Sequence, residues 1–302
     1  MVFRKTLRLG MAVFLSLLVM LSTSCSQFLT VGVSSTGSST VSISETGSEL
    51  QIYIIDVGNA DSILVKNGEK SLLIDAGENG DGDDVVNFLR RHGIDSLDYA
   101  VATHPDADHV GGMDVVIDEI PVGRFIMSIM PESITPTTRT YLDLLEALDR
   151  NDVDVTEAEP GDRYTLGGAE FTILGPIGEF NSTNNMSVVC RVDYGKCRFL
   201  FMGDAEKQAE NAFIQNGTDL RADFIKLGHH GSRSSSQDFF LKTVNPVYAA
   251  ISCGVSNRYG HPHAETLQVL KKMNITYYRT DLNGTIRVIS DGSNIAITTE
   301  KE

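Results

Sequence analysis

The chain has 302 residues, 41% of them hydrophobic, and a formal net charge of −15. Length and apolar content suffice for a large buried core, in one domain or two. The acidity excludes general adhesion to nucleic acid or to an anionic membrane, because affinity for phosphate comes from Lys and Arg.

Residues 1–24 carry Arg4, Lys5 and Arg8 without an acid, then the apolar run Met11 to Leu21, then small residues before Cys25. The run is short for a membrane span, and the pattern reads as an export signal. Ser22-Thr23-Ser24-Cys25 is similar to a bacterial lipoprotein cleavage site, with Ser22 standing where that motif prefers Leu. A lipid on Cys25 would tether the chain to the outer face of the membrane. Residues 25–48 are mostly Ser, Thr and Gly, a composition that cannot offset its ordering entropy and predicts a flexible tether. Residues 49–302 remain as one expected domain. Beyond Cys25 the cysteines are Cys190, Cys197 and Cys253, an odd number that describes no disulfide framework. No Cys-x-x-Cys spacing supports a structural zinc site.

The domain opens with strand-like runs at Gln51–Val57, Ser62–Lys66 and Ser71–Ile74, the last two joined by the hairpin signal Asn67-Gly68. Asp56, Asp61 and Asp75 sit at the ends of these runs. They read as turn residues before direct metal ligands, with support of a ligand as their functional option. Asp83-Asp84 predicts a helix through Arg91, stopped at Gly93. Leu97 to Ala102 then reads as a buried strand, followed by Thr103-His104-Pro105-Asp106-Ala107-Asp108-His109-Val110-Gly111-Gly112. Two imidazoles and two carboxylates in six positions cannot all be core groups, since unpaired buried charge is costly. A divalent ion would satisfy them: His104, Asp106, Asp108 and His109 are ligand types for Zn²⁺, Mn²⁺ or Fe. Pro105 breaks regular structure, and the Gly pair is expected to let the backbone approach what the ligands hold.

Helices follow at Met113–Glu119 and Thr138–Arg150, the second with Tyr141, Leu144, Leu145 and Leu148 on one side, with a strand at Arg124–Ile129 between them. This alternation predicts α/β architecture, sheets covered by helices. Short strands fill Val153–Leu174. Two more, Val188–Asp193 and Arg198–Met202, lead to Gly203-Asp204 and a helix over Ala205–Asn216. The strand Ala222–Leu227 runs into Gly228-His229-His230-Gly231-Ser232. Adjacent residues on a strand point opposite ways, so one histidine is expected as ligand, and His230 is preferred. A strand at Val247–Ser252, the segment Asn257–His263, a helix at Ala264–Met273, a hairpin turn at Asp281–Thr285 and two strands complete the chain.

His-Pro-Asp-Ala-Asp-His followed by Gly-Gly resembles the His-x-His-x-Asp-His metal motif of the metallo-β-lactamase-fold hydrolases, with Asp106 in place of the second histidine. That variant is similar to the soluble domain of ComEC-type DNA-uptake proteins and their free-standing relatives. Asp56-Val57-Gly58, Asp75-Ala76-Gly77, Gly203-Asp204, Lys226-x-Gly-His-His-Gly-Ser and Asn257-Arg258-Tyr259-Gly260-His261-Pro262-His263 add to the resemblance in the same order. Asn185-Met186-Ser187 stands where the superfamily places a third metal histidine, and no histidine lies between Val110 and Gly203.

The resemblance implies a four-layered αββα sandwich over 49–302 and hydrolysis by metal-activated water, with one or two divalent ions, Zn²⁺ or Mn²⁺. It implies a metal set of His104, Asp106, Asp108, His109, Asp204 and His230, with Asp204 bridging. Asp108, His229, His261 and His263 are the implied catalytic groups. Asn185, Lys226, Ser232 and Arg258 are the implied substrate contacts, Asn185 through its carbonyl oxygen. The missing histidine makes one metal position weaker or harder and disfavours a β-lactam substrate. The first expectation is an exported phosphodiesterase or nuclease acting on DNA. The alternatives are a wall-polymer or phosphocholine phosphodiesterase and, in another class, a non-catalytic metal-binding lipoprotein.

Overall fold

The computed structural model describes residues 49–301. The expected export signal and tether lie outside the described residues, as does Cys25. No helix among the described residues is long and apolar enough to cross a membrane.

Strands β1 (Leu50–Ile54), β2 (Ser62–Asn67) and β3 (Lys70–Ala76) form the predicted antiparallel start. Parallel β4 (Tyr99–Ala102), β5 (Phe125–Met127) and β6 (Val155–Glu157) extend it. The second sheet holds β7 (Arg163–Leu166), β8 (Ala169–Gly175), β9 (Val189–Tyr194), β10 (Cys197–Phe201), β11 (Phe224–Lys226), β12 (Tyr248–Ile251) and β13 (Thr276–Arg279). The chain then returns to the first sheet as β14 (Ile286–Ser290) and β15 (Ile295–Thr299). The first sheet therefore runs β15-β14-β1-β2-β3-β4-β5-β6. Asp281–Thr285 is thus a passage between sheets rather than the predicted hairpin turn, because its flanking strands pair with different neighbours.

Period-two alternation explains the layering. Leu50, Ile52 and Ile54 of β1 face the second sheet, where Phe171, Val192, Phe199 and Phe201 meet them. Tyr53, Leu64 and Leu73 point the other way, into a core shared with helices α1 (Gly82–Arg91), α2 (Ala107–Val110), α3 (Met113–Glu119) and α4 (Arg139–Arg150). Leu200, Ile225 and Ile251 face the core under α5 (Lys207–Gln215), α6 (Asp238–Val244) and α7 (Ala264–Lys272). Three apolar cores between four layers are the αββα sandwich that the resemblance implied. On α4 the buried residues are Leu144, Ala147 and Leu148, while Leu145 is exposed, because positions three and four after Leu144 share its face of a 3.6-residue turn and the next position does not.

Cys190 and Cys197 lie on neighbouring strands out of register, paired instead with Phe201 and Tyr194, so no disulfide joins them. Gly111 and Gly112 pack on the backbone of the loop after β3: a Cβ would lie 2.1 Å from Asn79 N and 2.4 Å from Ala76 O. Their small size thus serves helix–loop packing and not an approach to the ligands, which corrects the expectation for the pair.

Candidate metal centre

The ends of β3, β4, β10 and β11 bring four loops together. Three histidines on them share one wiring. Asp75, at the end of β3 with φ of 59°, accepts from Thr103 N at 2.8 Å and Thr103 Oγ1 at 2.7 Å. Thr103 Oγ1, its proton committed to Asp75, accepts from His104 Nδ1 at 3.2 Å. His109 Nδ1 donates to Asp75 Oδ2 at 2.7 Å. His230 Nδ1 donates to the carbonyl of Ser252 at 3.1 Å. With each Nδ1 carrying the proton, Nε2 is left as the lone-pair nitrogen, and all three point to one place.

There they meet carboxylates. His109 Nε2 lies 3.3 Å from Asp204 Oδ1, His230 Nε2 is 3.4 Å from Asp108 Oδ2, and His230 Nε2 is 3.8 Å from Asp204 Oδ1. His104 Nε2 is 4.0 Å from Asp204 Oδ2 and 3.8 Å from Asp106 Oδ2. Ligands about 2.1 Å from one ion at tetrahedral angles sit about 3.4 Å apart, so these spacings suit a divalent ion. Nε2 of His104, His109 and His230, and Oδ1 of Asp204, are buried without a hydrogen-bond partner. Four such orphans are costly unless a cation completes them. The residues present fit a divalent metal.

The electrostatics agree. Burial opposes ionisation of Asp108, yet His230 and His109 outweigh it and bring the carboxyl down to about 2. Burial likewise opposes charge on Asp204, but His109 and His230 hold it well below the usual range. Burial disfavours a second proton on His109, but Asp204 with Asp75 overcomes this and raises its pKa well above the ordinary value, so without an ion a proton takes the Nε2 position that a cation would occupy. Burial and His109 together push His104 down to about 4. Asp106 is less embedded: burial raises its pKa, and its side chain is 45% exposed.

His229 and His230 both face this cleft, although they are adjacent. They occupy a tight turn after β11 with φ of 49° and 51°, a left-handed pair that a strand does not contain. His229 Nε2 is 3.7 Å from Asp204 Oδ2, and its Nδ1 meets Glu206 Oε1 at 3.1 Å. Burial lowers the His229 pKa, but the bond to Glu206 and the charge of Asp204 raise it further, to a net increase. His261 lines the same cleft, and burial with the neighbouring His229 and His230 lowers its pKa to about 4. Asn59, Asn184 and Tyr259, which carried no expectation as site residues, complete the wall.

Four expected site residues lie elsewhere in role. Lys226 is fully buried, its Nζ donating to Asp61 Oδ2 at 2.7 Å and to the Leu227 carbonyl at 3.0 Å, so it does not reach a substrate. Asn185 Oδ1 accepts from Glu206 N at 3.2 Å and Ala209 N at 3.1 Å, capping the start of α5, and is not available as a ligand. Ser232 is buried against Ser234 Oγ at 2.8 Å. His263 is the residue before α7, and its Nδ1 accepts from Arg233 N at 3.1 Å, which fits a structural cap better than a catalytic acid. Arg258 is exposed beside the cleft and ion-paired to no carboxylate among the described residues.

The second-rank aspartates support ligands. Asp75 orients His109 and, through Thr103, His104. Asp61 lies 3.6 Å from His230 Nδ1. In the sequence Asp75 is signalled by its place at the end of a strand and by the Asp75-Ala76-Gly77 resemblance.

Residues 55–255 match the family model described as the metallo-beta-lactamase superfamily. The chain is 31% identical over 259 residues to "ComE operon protein 3" of Bacillus subtilis, an alignment that covers 80% of this chain and 33% of that protein. It is 31% identical over 242 residues to "Competence protein ComA" of Neisseria gonorrhoeae, covering 79% of this chain and 32% of that protein. The chain thus spans about a third of the length of these relatives. Among solved structures, CmlA, a diiron β-hydroxylase from Streptomyces venezuelae, superposes with a TM-score of 0.50 at 12% identity, over 77% of this chain and 53% of that one, which shows the shared fold alone. With the αββα layers, the metal-fitting cluster at the strand ends and the match over residues 55–255, the chain belongs to the metallo-β-lactamase superfamily.

Proposed function

We propose that this protein is an exported, divalent-metal-dependent phosphodiesterase whose substrate is DNA. The observation that carries the reading is the set of orphaned Nε2 and carboxylate atoms at the floor of an open cleft of about 230 Å³. His104, Asp108, His109, Asp204 and His230, with Asp106 at the edge, would hold a divalent ion, which would supply Lewis-acid polarisation and an activated water at neutral pH. Asp106, Asp108 and Asp204 make the donor set oxygen-rich, which suits Mn²⁺ as well as Zn²⁺.

The chain's own groups supply the rest. His229, held by Glu206 and raised in pKa, presents Nε2 to the cleft, where it can hand a proton to the departing alkoxide. Arg258 lies exposed at the mouth, hydrogen-bonded to the Tyr259 hydroxyl and ion-paired to no carboxylate among the described residues, where its remaining donors can meet a phosphate oxygen. The resemblance to ComEC-type proteins and the competence names of two relatives favour DNA over other phosphodiesters. The lipoprotein-like leader and tether agree with action outside the membrane.

The test uses metal-stripped protein restored with Mn²⁺ or Zn²⁺, assayed on single-stranded DNA and on bis-p-nitrophenyl phosphate beside Asp108→Ala. Cleavage of both, lost in the variant, supports the reading. Cleavage of the small diester alone transfers the activity to wall or lipid phosphodiesters. If neither is cut while metal binds, the phosphodiesterase reading is wrong and a binding or non-phosphate role takes its place.

A further inference from the structure

Beyond the ligand cluster, a row of flat groups leads from the floor of the cleft to its rim. The ring of His230 lies 6.1 Å from that of His261 at 23°. The ring of Tyr259 lies 5.6 Å from His261 at 20°. The guanidinium of Arg258 sits 4.8 Å from the Tyr259 centroid. Tyr259 is 50% exposed although it lines the cleft, and Val255 in the same loop is 74% exposed. Single exposed apolar residues are ordinary on a surface. Here two of them share one loop with Arg258, whose guanidinium donates to the Tyr259 hydroxyl at 2.5 Å and meets no carboxylate among the described residues, and Tyr259 lies near-parallel to His261 of the site.

The loop is fixed. Asn257 Nδ2 donates to the carbonyls of Gly254 at 2.9 Å and His261 at 2.6 Å, and its Oδ1 accepts from His261 N at 2.9 Å. Gly254 lies so near the backbone of Asn59 that a Cβ would come within 2.8 Å of Asn59 N. Tyr259 is therefore held beside the cleft before any ligand arrives, which lowers the ordering cost of binding. The cleft itself, about 230 Å³, is smaller than the pockets of about 300 Å³ and more that enclose a whole small ligand. On the phosphodiesterase reading it has room for a phosphate and its immediate neighbours, with the remainder of a substrate over the rim.

We propose that Tyr259, with Arg258 and Val255, is a stacking platform for the nucleobase next to the scissile phosphate. This rests on the phosphodiesterase reading and names what the site selects: a nucleoside diester over a diester without a base. A near-parallel stack ending in an exposed ring and a cation suits a planar base, which offers a π face whatever its sequence. The Arg258 guanidinium is placed to meet the next phosphate along the strand.

The test compares kcat/KM for thymidine 5′-p-nitrophenyl phosphate and methyl p-nitrophenyl phosphate with Mn²⁺, in the full chain and in Tyr259→Ala. The proposal predicts that the wild type prefers the nucleoside ester by roughly ten-fold or more, and that the ratio in Tyr259→Ala falls close to one. Equal efficiency on the two esters in the wild type overturns the platform and leaves the phosphodiesterase reading standing. Failure to cut either ester removes both. A second measurement needs no metal. The chain has no tryptophan, so Tyr259→Trp places a single indole at the rim. Oligothymidylate should quench it at a concentration at least ten-fold below that needed by an abasic strand of equal length, and equal quenching by both overturns the platform.

Discussion

Lys226 Nζ, with no exposure to solvent, lies 2.7 Å from Asp61 Oδ2 and ties the end of β11 to the turn before β2. Burial resists ionisation of Asp61, but Lys226 and His230 draw its pKa below the ordinary value, so its carboxylate is charged at neutral pH. Removing one partner leaves a buried charge unpaired. Lys226→Met should cost about 3–5 kcal/mol in urea unfolding, and Asp61→Leu added to it should recover much of that loss. A Lys226→Met protein as stable as the wild type would contradict the pairing.

The bond between Asp75 and His109 should appear in metal affinity. Asp75→Asn keeps the shape but removes the charge that orients His109 and, through Thr103, His104. Such outer partners are worth about 10–100-fold in affinity. Calorimetric titration of metal-stripped protein with Zn²⁺ should show that weakening, and an unchanged affinity would deny Asp75 its orienting role.

His229 and His230 should separate by readout. His230→Ala removes a lone pair aimed between Asp108 and Asp204 and should lose metal. His229→Gln should keep metal while turnover of a diester falls about 10²–10⁴-fold, the range of a general acid. Loss of metal in His229→Gln with retention in His230→Ala would reverse the assignment.

Glu210 gives a pH dependence away from the metal cluster. It is buried on α5, with its carboxylate accepting from the N–H groups of Ser236 and Gln237, and burial raises its pKa from 4.5 to about 8. Between those values the unfolded chain has released the proton and the folded one retains it. Stability from this group is therefore full below pH 4.5, is lost as pH rises, and is gone above about 8. The span amounts to on the order of 5 kcal/mol. Glu210→Gln, which stays neutral, should lose this slope. Urea unfolding of the two proteins at pH 5, 6.5 and 8 checks it, and parallel curves would refute the burial argument.

Much of the site was legible because its chemistry is dense and local. Two imidazoles and two carboxylates in six positions leave few structural explanations, and the strand alternation on either side sets the layers. What escaped depends on contacts distant in sequence. Lys226 looked like a substrate contact because nothing near it revealed Asp61, which stands 165 residues away. Asn185 sits at the right place for a ligand, but its oxygen is already taken by the backbone of α5. The strand argument for His229 and His230 failed because the chain leaves β11 before them and turns left-handed, a geometry the flanking glycines only hint at. Tyr259 went unmarked because an aromatic in a loop has no meaning until its neighbours are known.

The most direct measurement of the central claim is titration of Mn²⁺ and Zn²⁺ into the metal-stripped full chain, beside Asp204→Asn. Asp204 touches His104, His109, His229 and His230 at once. Saturable binding of one or two ions, weakened at least ten-fold in the variant, is the predicted result. No binding in the wild type, or equal binding in both proteins, would contradict a metal centre at these strand ends.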